Sequence, residues 1–434
     1  MFSVLSDRTY RHLFLAQVVA LLGTGLATVA LGLIAYRLAG DAAGQVLGTA
    51  FAIKMVAYVA IAPVAGAFAG RVPRRAMLVT LDLVRLAIAL ALPFVTAVWQ
   101  VYVLIFVLQA ASAAFTPTFQ ATIPDVLPDE ERYTNALSLS RLAYDLESLV
   151  SPMLAGALLV IVSAETLFLG TAFGFLGSAL LVVSVTLPSP GSVSRRGIYD
   201  RTTRGLRIYL ATPRLKGLLA LNLAVAAAGA MVLVNTIVLV RGTLGSGETA
   251  VAVALGAFGA GSMVTALALP PLLKRWRDRP VMVIGAALEV LVLAALALMP
   301  IEWPILLAGW FVAGIGYAAV LTPSGRLLRR SSQPEDRPAL YAAQFALSHL
   351  CWLVTYPLAG WLMTAFGAGS AFGALAGLAA VGLLAGLALW PSGETETVPH
   401  HHDNLPLDHP HLAGHRNHAH PYVIDDYHRH WARP

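Results

Sequence analysis

Long apolar runs recur along the chain, separated by short polar segments rich in arginine. A helix rises 1.5 Å per residue, so about 20 apolar residues span the hydrocarbon of a bilayer. Twelve runs reach that length: 14–36, 46–69, 76–98, 102–123, 135–162, 166–187, 217–240, 250–273, 280–300, 304–323, 339–364 and 369–390. Most are apolar on every side, as expected of helices that face lipid and one another. The first is too long for a signal-peptide core and lacks a small-residue cleavage site, so it is expected to remain as a helix. Composition agrees. Hydrophobic residues make up 58%, charged residues 12%, and mean hydropathy is +0.72. That is about half the charge of a soluble domain, and one soluble core could not bury so much apolar surface. A single cysteine, Cys351, excludes a disulfide framework and a Cys-based metal centre.

Arginine and lysine orient the runs. With the N-terminus inside, 24 of the 29 cationic residues fall in inner segments and only Arg37 and Arg241 in outer loops. Lys54, Arg85 and Arg141 lie within spans. Both termini are therefore expected in the cytoplasm. The net charge of +6 then reads as an orientation signal, and no nucleic-acid partner is expected. The longest inner segment, 188–216, is rich in Arg, Ser, Gly and Pro. It reads as a linker loop between a six-helix half at 1–187 and a second at 217–391, with 392–434 as a tail.

The halves resemble one another. Thr116-Pro117 is followed by Pro128-Asp129-Glu130, and Thr322-Pro323 by Pro334-Glu335-Asp336. Leu-Ala-Gly recurs at 154–156 and 358–360, all at an offset of about 206. An even number of spans per half makes this a parallel repeat about the membrane normal. After the second run stands Gly66-Ala-Phe-Ala-Gly70-Arg71-Val72-Pro73-Arg74-Arg75, and in the fifth Ser151-Pro152-Met-Leu-Ala-Gly156. Twelve spans, the six-plus-six split and these two partial motifs resemble the major facilitator superfamily. The resemblance implies an all-α membrane protein with twelve transmembrane helices in two six-helix halves. It also makes Arg71, Arg74 and Arg75 a conformational gate. Gly70 stands where that family has an acid, so the gate's usual acidic partner is missing.

Ionisable side chains inside spans are costly and usually face a cavity or a partner. Candidates for a substrate and proton pathway are Lys54, Asp82, Arg141, Asp145, Glu147, Glu289 and His349. Asp145, Glu289 and His349 fall near the midplane, where transporter sites lie. Asp82–Arg85 and Arg141–Asp145 have helical pair spacing and could simply neutralise each other. Two polar stripes, Ser138, Arg141, Asp145, Ser148 and Pro152 on the fifth span and Gln344, Ser348, Cys351 and Thr355 on the eleventh, are expected to face each other across a central path. Gly256-x-x-Gly259-x-Gly261 and Gly369-x-x-x-Gly373-x-x-x-Gly377 sit inside apolar runs and read as close helix packing, not nucleotide loops. No Walker sequence, His-Glu-x-x-His or nucleophile elbow is present, so no enzyme activity is expected.

After Pro391 the composition changes. Ten of the twelve histidines lie between 400 and 430: His400, His401, His402, His409, His411, His415, His418, His420, His428 and His430. Interleaved Pro and Asn are expected to keep this tail from forming helix or strand. Neutral imidazole suits Ni(II), Co(II), Cu(II) and Zn(II), and binding should weaken in acid. Leu22-Gly-Thr-Gly-Leu-Ala-Thr-Val-Ala-Leu31, Phe115-Thr-Pro-Thr-Phe-Gln-Ala-Thr-Ile-Pro-Asp125, Ser138-Leu-Ser-Arg-Leu-Ala-Tyr-Asp-Leu-Glu147 and the terminal Val423-Ile-Asp-Asp-Tyr-His-Arg-His-Trp431 resemble the nickel-resistance exporters of the superfamily. That resemblance implies export of Ni(II), and of Co(II) as a second substrate, from the bacterial cytoplasm across the inner membrane, with the tail histidines holding metal. With no ATP site, proton antiport by alternating access is the expected drive. Metal ions, protons and the bilayer are the expected partners, the chain is expected to be monomeric, and no cofactor is expected. An exporter of organic compounds such as a drug or siderophore, or a tethered metal buffer, remain the alternatives.

Overall fold

The computed structural model describes residues 1–39, 43–69, 71–188, 197–393, 397–402, 406, 409–412, 415–428, 430 and 431. Gly70, Arg195, Arg196, Asp403, Asp408 and Arg429 lie outside these, as do the side chains of Ser148 and Pro152.

The apolar runs fold as helices α1 (Arg8–Ala39), α2 (Ala43–Ala69), α3 (Arg74–Ala91), α4 (Val98–Val126), α5 (Glu130–Leu158) and α6 (Leu167–Val183). A second set follows: α8 (Pro213–Ile237), α9 (Glu248–Leu273), α10 (Asp278–Leu298), α11 (Trp303–Leu321), the short α12 (Ser324–Arg330) and α13 (Arg337–Leu389). Among the described residues, nine helices are long and apolar enough to cross a membrane. Charged α5 and 17-residue α6 add two more crossings. The 53-residue α13 supplies two, because it breaks at Gly367, whose φ of +79° suits a residue without Cβ. Asp129 starts α5 as its N-cap, its carboxylate accepting from the Arg132 amide at 2.8 Å.

Between α6 and α8 the expected linker loop holds a helix, α7 (Ile198–Ala211). Gly205, Ile208, Tyr209 and Thr212 are buried at helical spacing. They lie on α2 and α13 so closely that a Cβ at Gly205 would come within 2.0 Å of the Ala339 carbonyl. Of the arginines that suggested a loop, Arg207 is exposed, whereas Arg204 pairs with Asp336 at the start of α13.

Each set of spans has its own buried core. The sets meet along two seams, α2 against the first limb of α13 and α5 against α9. Gly66 belongs to the first seam: a Cβ there would lie 2.7 Å from that of Ala342. The glycine pattern in α9 serves packing, since a Cβ on Gly261 would strike the Phe311 carbonyl of α11 at 1.9 Å.

The tail departs from expectation. Strands β1 (Thr397–His401) and β2 (Asn417–Pro421) pair antiparallel, with His400 opposite His418 and Val398 opposite His420. The prolines at 399 and 421 sit in a two-stranded ribbon, where every strand is an edge and a missing N–H is tolerated.

Candidate functional site

Three groupings of polar side chains stand out. The first lies where the two sets of helices meet. On α5, Arg141 pairs with Asp145 one turn on, and Ser262 of α9 donates to the other Asp145 oxygen at 2.7 Å. The Arg141 guanidinium lies 5.0 Å from the Tyr317 ring of α11. On the other seam, the His349 ring of α13 stands edge-on to Tyr58 of α2 at 4.8 Å and beside Phe345 at 4.1 Å. Its Nδ1–H donates to the Phe345 carbonyl at 2.7 Å. Lys54 sits over Tyr58 at 5.6 Å, and the Tyr58 hydroxyl donates to Gln109 at 2.9 Å. Half-buried Glu147 lies beside Gly25 of α1, within electrostatic reach of Lys54 and Arg141. Lys54, Arg141, Asp145, Glu147 and His349 are thus brought together.

Two candidates are not. Asp82 is buried inside the first set, paired with Arg85 and accepting from Ser178 of α6 at 2.8 Å. Glu289 is buried between α10 and α11 against Gly316, and neither of its oxygens has a hydrogen-bond partner among the described residues. The two expected stripes do not face each other either. The α5 stripe meets α9, whereas Gln344 of α13 accepts from Tyr209 of α7 at 2.5 Å.

The second grouping lies at the arginine-rich end of the bundle. Of the expected gate, Arg74 is buried and pairs with Asp125 of α4, while Arg71 and Arg75 are exposed. Asp125 also pairs with Arg337, so one carboxylate joins both halves. Glu130 holds Arg326 at 2.7 Å and also Arg330, and both arginines grip Asp278, at 2.8 and 2.9 Å. The Tyr133 and Tyr341 hydroxyls meet at 2.6 Å. The acid missing at position 70 is therefore supplied from α4. The Pro-Asp-Glu and Pro-Glu-Asp repeats marked this end of the spans, but nothing in them named the pairs.

The third grouping is the tail. Six of the ten histidines converge. His411 Nε2, carried on the turn Pro410–Leu412, lies 3.1 Å from His402 Nε2, 3.2 Å from His418 Nε2 and 3.4 Å from His420 Nε2. His400 and His428 face each other at 3.0 Å. The ligand nitrogens of His400, His411, His420 and His428 all lie within 4.8 Å of one another, as do those of His400, His402, His411 and His418. Four nitrogens about 2.0–2.1 Å from one ion would stand about 3.3 Å apart in a tetrahedron and about 2.9 Å apart at right angles, close to the contacts seen. Asp425 accepts from His428 Nδ1–H at 2.9 Å, fixing the tautomer that leaves Nε2 free to bind. Burial among the other imidazoles pushes His400 and His411 down to about 4, so their lone pairs stay available in mild acid. His401 turns away to Asn417, His415 is exposed, and His409 stands edge-on to Tyr427. His430 contributes its carbonyl to Tyr422.

This hairpin is docked on the body. Arg204 of α7 grips Asp336 at the start of α13 and Asp426 at 2.9 Å. Arg214 of α8 donates to Ser331 at 2.7 Å and lies over the Trp431 ring at 5.3 Å. Tyr422 and Ile424 enter the second set's core.

Two six-helix sets meeting along paired seams, with buried charge where they join, define a multi-pass membrane transporter. The sequence profile of the Major Facilitator Superfamily matches residues 13–233 and again 218–416, so the chain belongs to that superfamily. Among curated relatives it is 24% identical over 379 residues to the uncharacterized MFS-type transporter YvqJ of Bacillus subtilis (strain 168), covering 83% of this chain and 87% of the relative. It is 27% identical over 172 residues to YfiS of the same organism, spanning 39% of this chain and 40% of that one. The fold is similar to that of the human organic anion transporter MFSD10 (TETRAN), with a TM-score of 0.74 at 12% identity, covering 87% and 99% of the two chains. It is also similar to the proton:xylose symporter XylE, with a TM-score of 0.70 at 13% identity, covering 87% and 95%.

Proposed function

We propose that the protein is a secondary exporter of divalent transition metal, Ni(II) and with it Co(II), exchanging metal for protons across a bacterial inner membrane. The observation that carries this reading is the six-imidazole cluster on a hairpin docked against the body through the Arg204–Asp426 pair. Both termini and the arginine-rich end face the cytoplasm in this reading, as the positive charge suggests. The tail captures metal there as cargo. The path is shut on that side by Asp125 and Glu130. When it opens, the ion reaches Asp145, Glu147 and His349, with Lys54 and Arg141 as competing cations. Protons arriving from outside displace it, with Glu289 and Asp82 as further proton carriers, and the halves rock about the joint between them.

The test is nickel and cobalt accumulation in cells expressing the wild type or His400→Ala/His411→Ala, at two external pH values. Wild type should lower accumulation more strongly at acidic external pH. Vesicles that carry no transition metal under any proton gradient would end the reading. The second reading, export of organic compounds, is favoured by the aromatic contacts of Tyr58 with Phe345 and of Tyr317 with Trp352 near the buried charges. Resistance to organic toxicants without nickel resistance would select it.

A further inference from the structure

At the arginine-rich end, the loop between α9 and α10, the foot of α13 and Thr397 of β1 line a cavity of about 680 Å³. Arg214, Arg326 and Arg330 form its walls, the loop adds Lys274, Arg275 and Arg277, and the start of α10 adds Arg279. The one acid in the lining is Asp278, already gripped by Arg326 and Arg330. Glu130 reaches Arg326 and Arg330 from α5, and Glu131 reaches Lys274 at 2.6 Å. Against those three acids, seven cationic side chains leave an excess of four positive charges among the described residues. Glu394 and Glu396 lie outside the described residues and are not counted. Arg275 and Arg277 are exposed and make no ion pair among the described residues.

The excess of arginine at inner loops accounts for cations at this end of the bundle. It does not account for seven of them converging on one concavity of ligand size. Guanidinium forks match phosphate oxygens two at a time. Trp276, half-exposed, and Trp390 line the same cavity, and tryptophan marks the head-group level of a bilayer. Basic pockets between helix ends on this side of a membrane hold anionic head groups.

We propose that this cavity binds a phosphate-bearing anion, and that Arg275 and Arg277 supply its unpaired cations. The phosphate comes either from an acidic phospholipid or from solution. The full-length protein in mild detergent, stripped of lipid, is titrated with short-chain phosphatidylglycerol, phosphatidylcholine and inorganic phosphate, and binding is read by native mass spectrometry. Phosphatidylglycerol should bind at least tenfold more tightly than phosphatidylcholine. Arg275→Gln/Arg277→Gln should lose at least tenfold of that affinity, whereas Arg132→Gln, an exposed arginine on α5, should lose none. Arg275→Lys/Arg277→Lys, which keeps the charge but not the fork, should fall between. Inorganic phosphate competing at the same site would make a soluble phosphate the source; failure to compete would make it lipid; either supports the site. Unchanged binding in the glutamine pair, with an unfolding temperature equal to wild type, would overturn it. So would equal binding of the two lipids without phosphate binding.

Discussion

Glu289 sits fully buried with both carboxylate oxygens lacking a hydrogen-bond partner among the described residues. An isolated carboxylate in such surroundings costs several kcal/mol. Glu289→Gln keeps the shape and removes the charge. It is expected to raise the unfolding temperature in detergent by a few degrees, at about 2–4 °C per kcal/mol for a half of this size. A fall would show that the carboxylate has a partner. Asp145 is the opposite case, because Arg141 and Ser262 saturate it. Asp145→Asn leaves the largely buried Arg141 guanidinium without its countercharge. Breaking one side of a buried pair costs about 3–5 kcal/mol, so this variant is expected to unfold well below wild type. An unchanged melting curve would show that water or another acid serves Arg141.

At the scale of elements, the tail hairpin carries a pH dependence whose direction follows from its histidines. An unfolded imidazole titrates near 6.5, whereas burial among other imidazoles holds His400 and His411 at about 4. Between those values the unfolded hairpin binds more protons than the folded one, so stability is complete above pH 6.5 and declines as pH falls toward 4. Hydrogen-exchange protection factors over 397–401 and 417–421, measured in the full-length apo protein, are expected to follow that course. Protection that grows on acidification would refute the packing described here. Helix α7 shows how an element escapes notice. Its buried positions, Gly205, Ile208, Tyr209 and the capping Thr212, include a glycine and a threonine, and Arg201, Arg204 and Arg207 are interspersed among them. The stripe is helical in spacing but too weakly apolar to stand out from a polar linker.

At the scale of the molecule, the two halves are tied together at the arginine-rich end by a few shared carboxylates. Asp125 bridges Arg74 and Arg337 across the halves, and hydrogen bonds to charged groups contribute about 1.5–3 kcal/mol. Asp125→Asn is expected to shift the closed-to-open ratio by about tenfold or more. The lone thiol, half-buried Cys351, lies two residues from His349 and is a built-in reporter. Its alkylation by an impermeant reagent in inverted vesicles should accelerate several-fold in Asp125→Asn. An unchanged rate would mean that the Glu130 cluster closes this end alone.

Much of this architecture is written locally. Twenty apolar residues in a row have few options in lipid other than a helix, so the spans, their count and the duplication follow from order along the chain. Intramembrane charge likewise declares itself because it is rare. Which charges meet is another matter. Asp82 lies inside its own half and Glu147 at the joint, though both read alike in sequence, because helix rotation and partner choice depend on packing between segments far apart along the chain. The same holds for Asp125, an ordinary acid at the end of α4 until folding sets it between Arg74 and Arg337. Ten histidines announced imidazole chemistry, but only the folding of 397–402, the turn 410–412 and 417–428 onto one another selected six of them and placed their nitrogens about one metal ion's width apart.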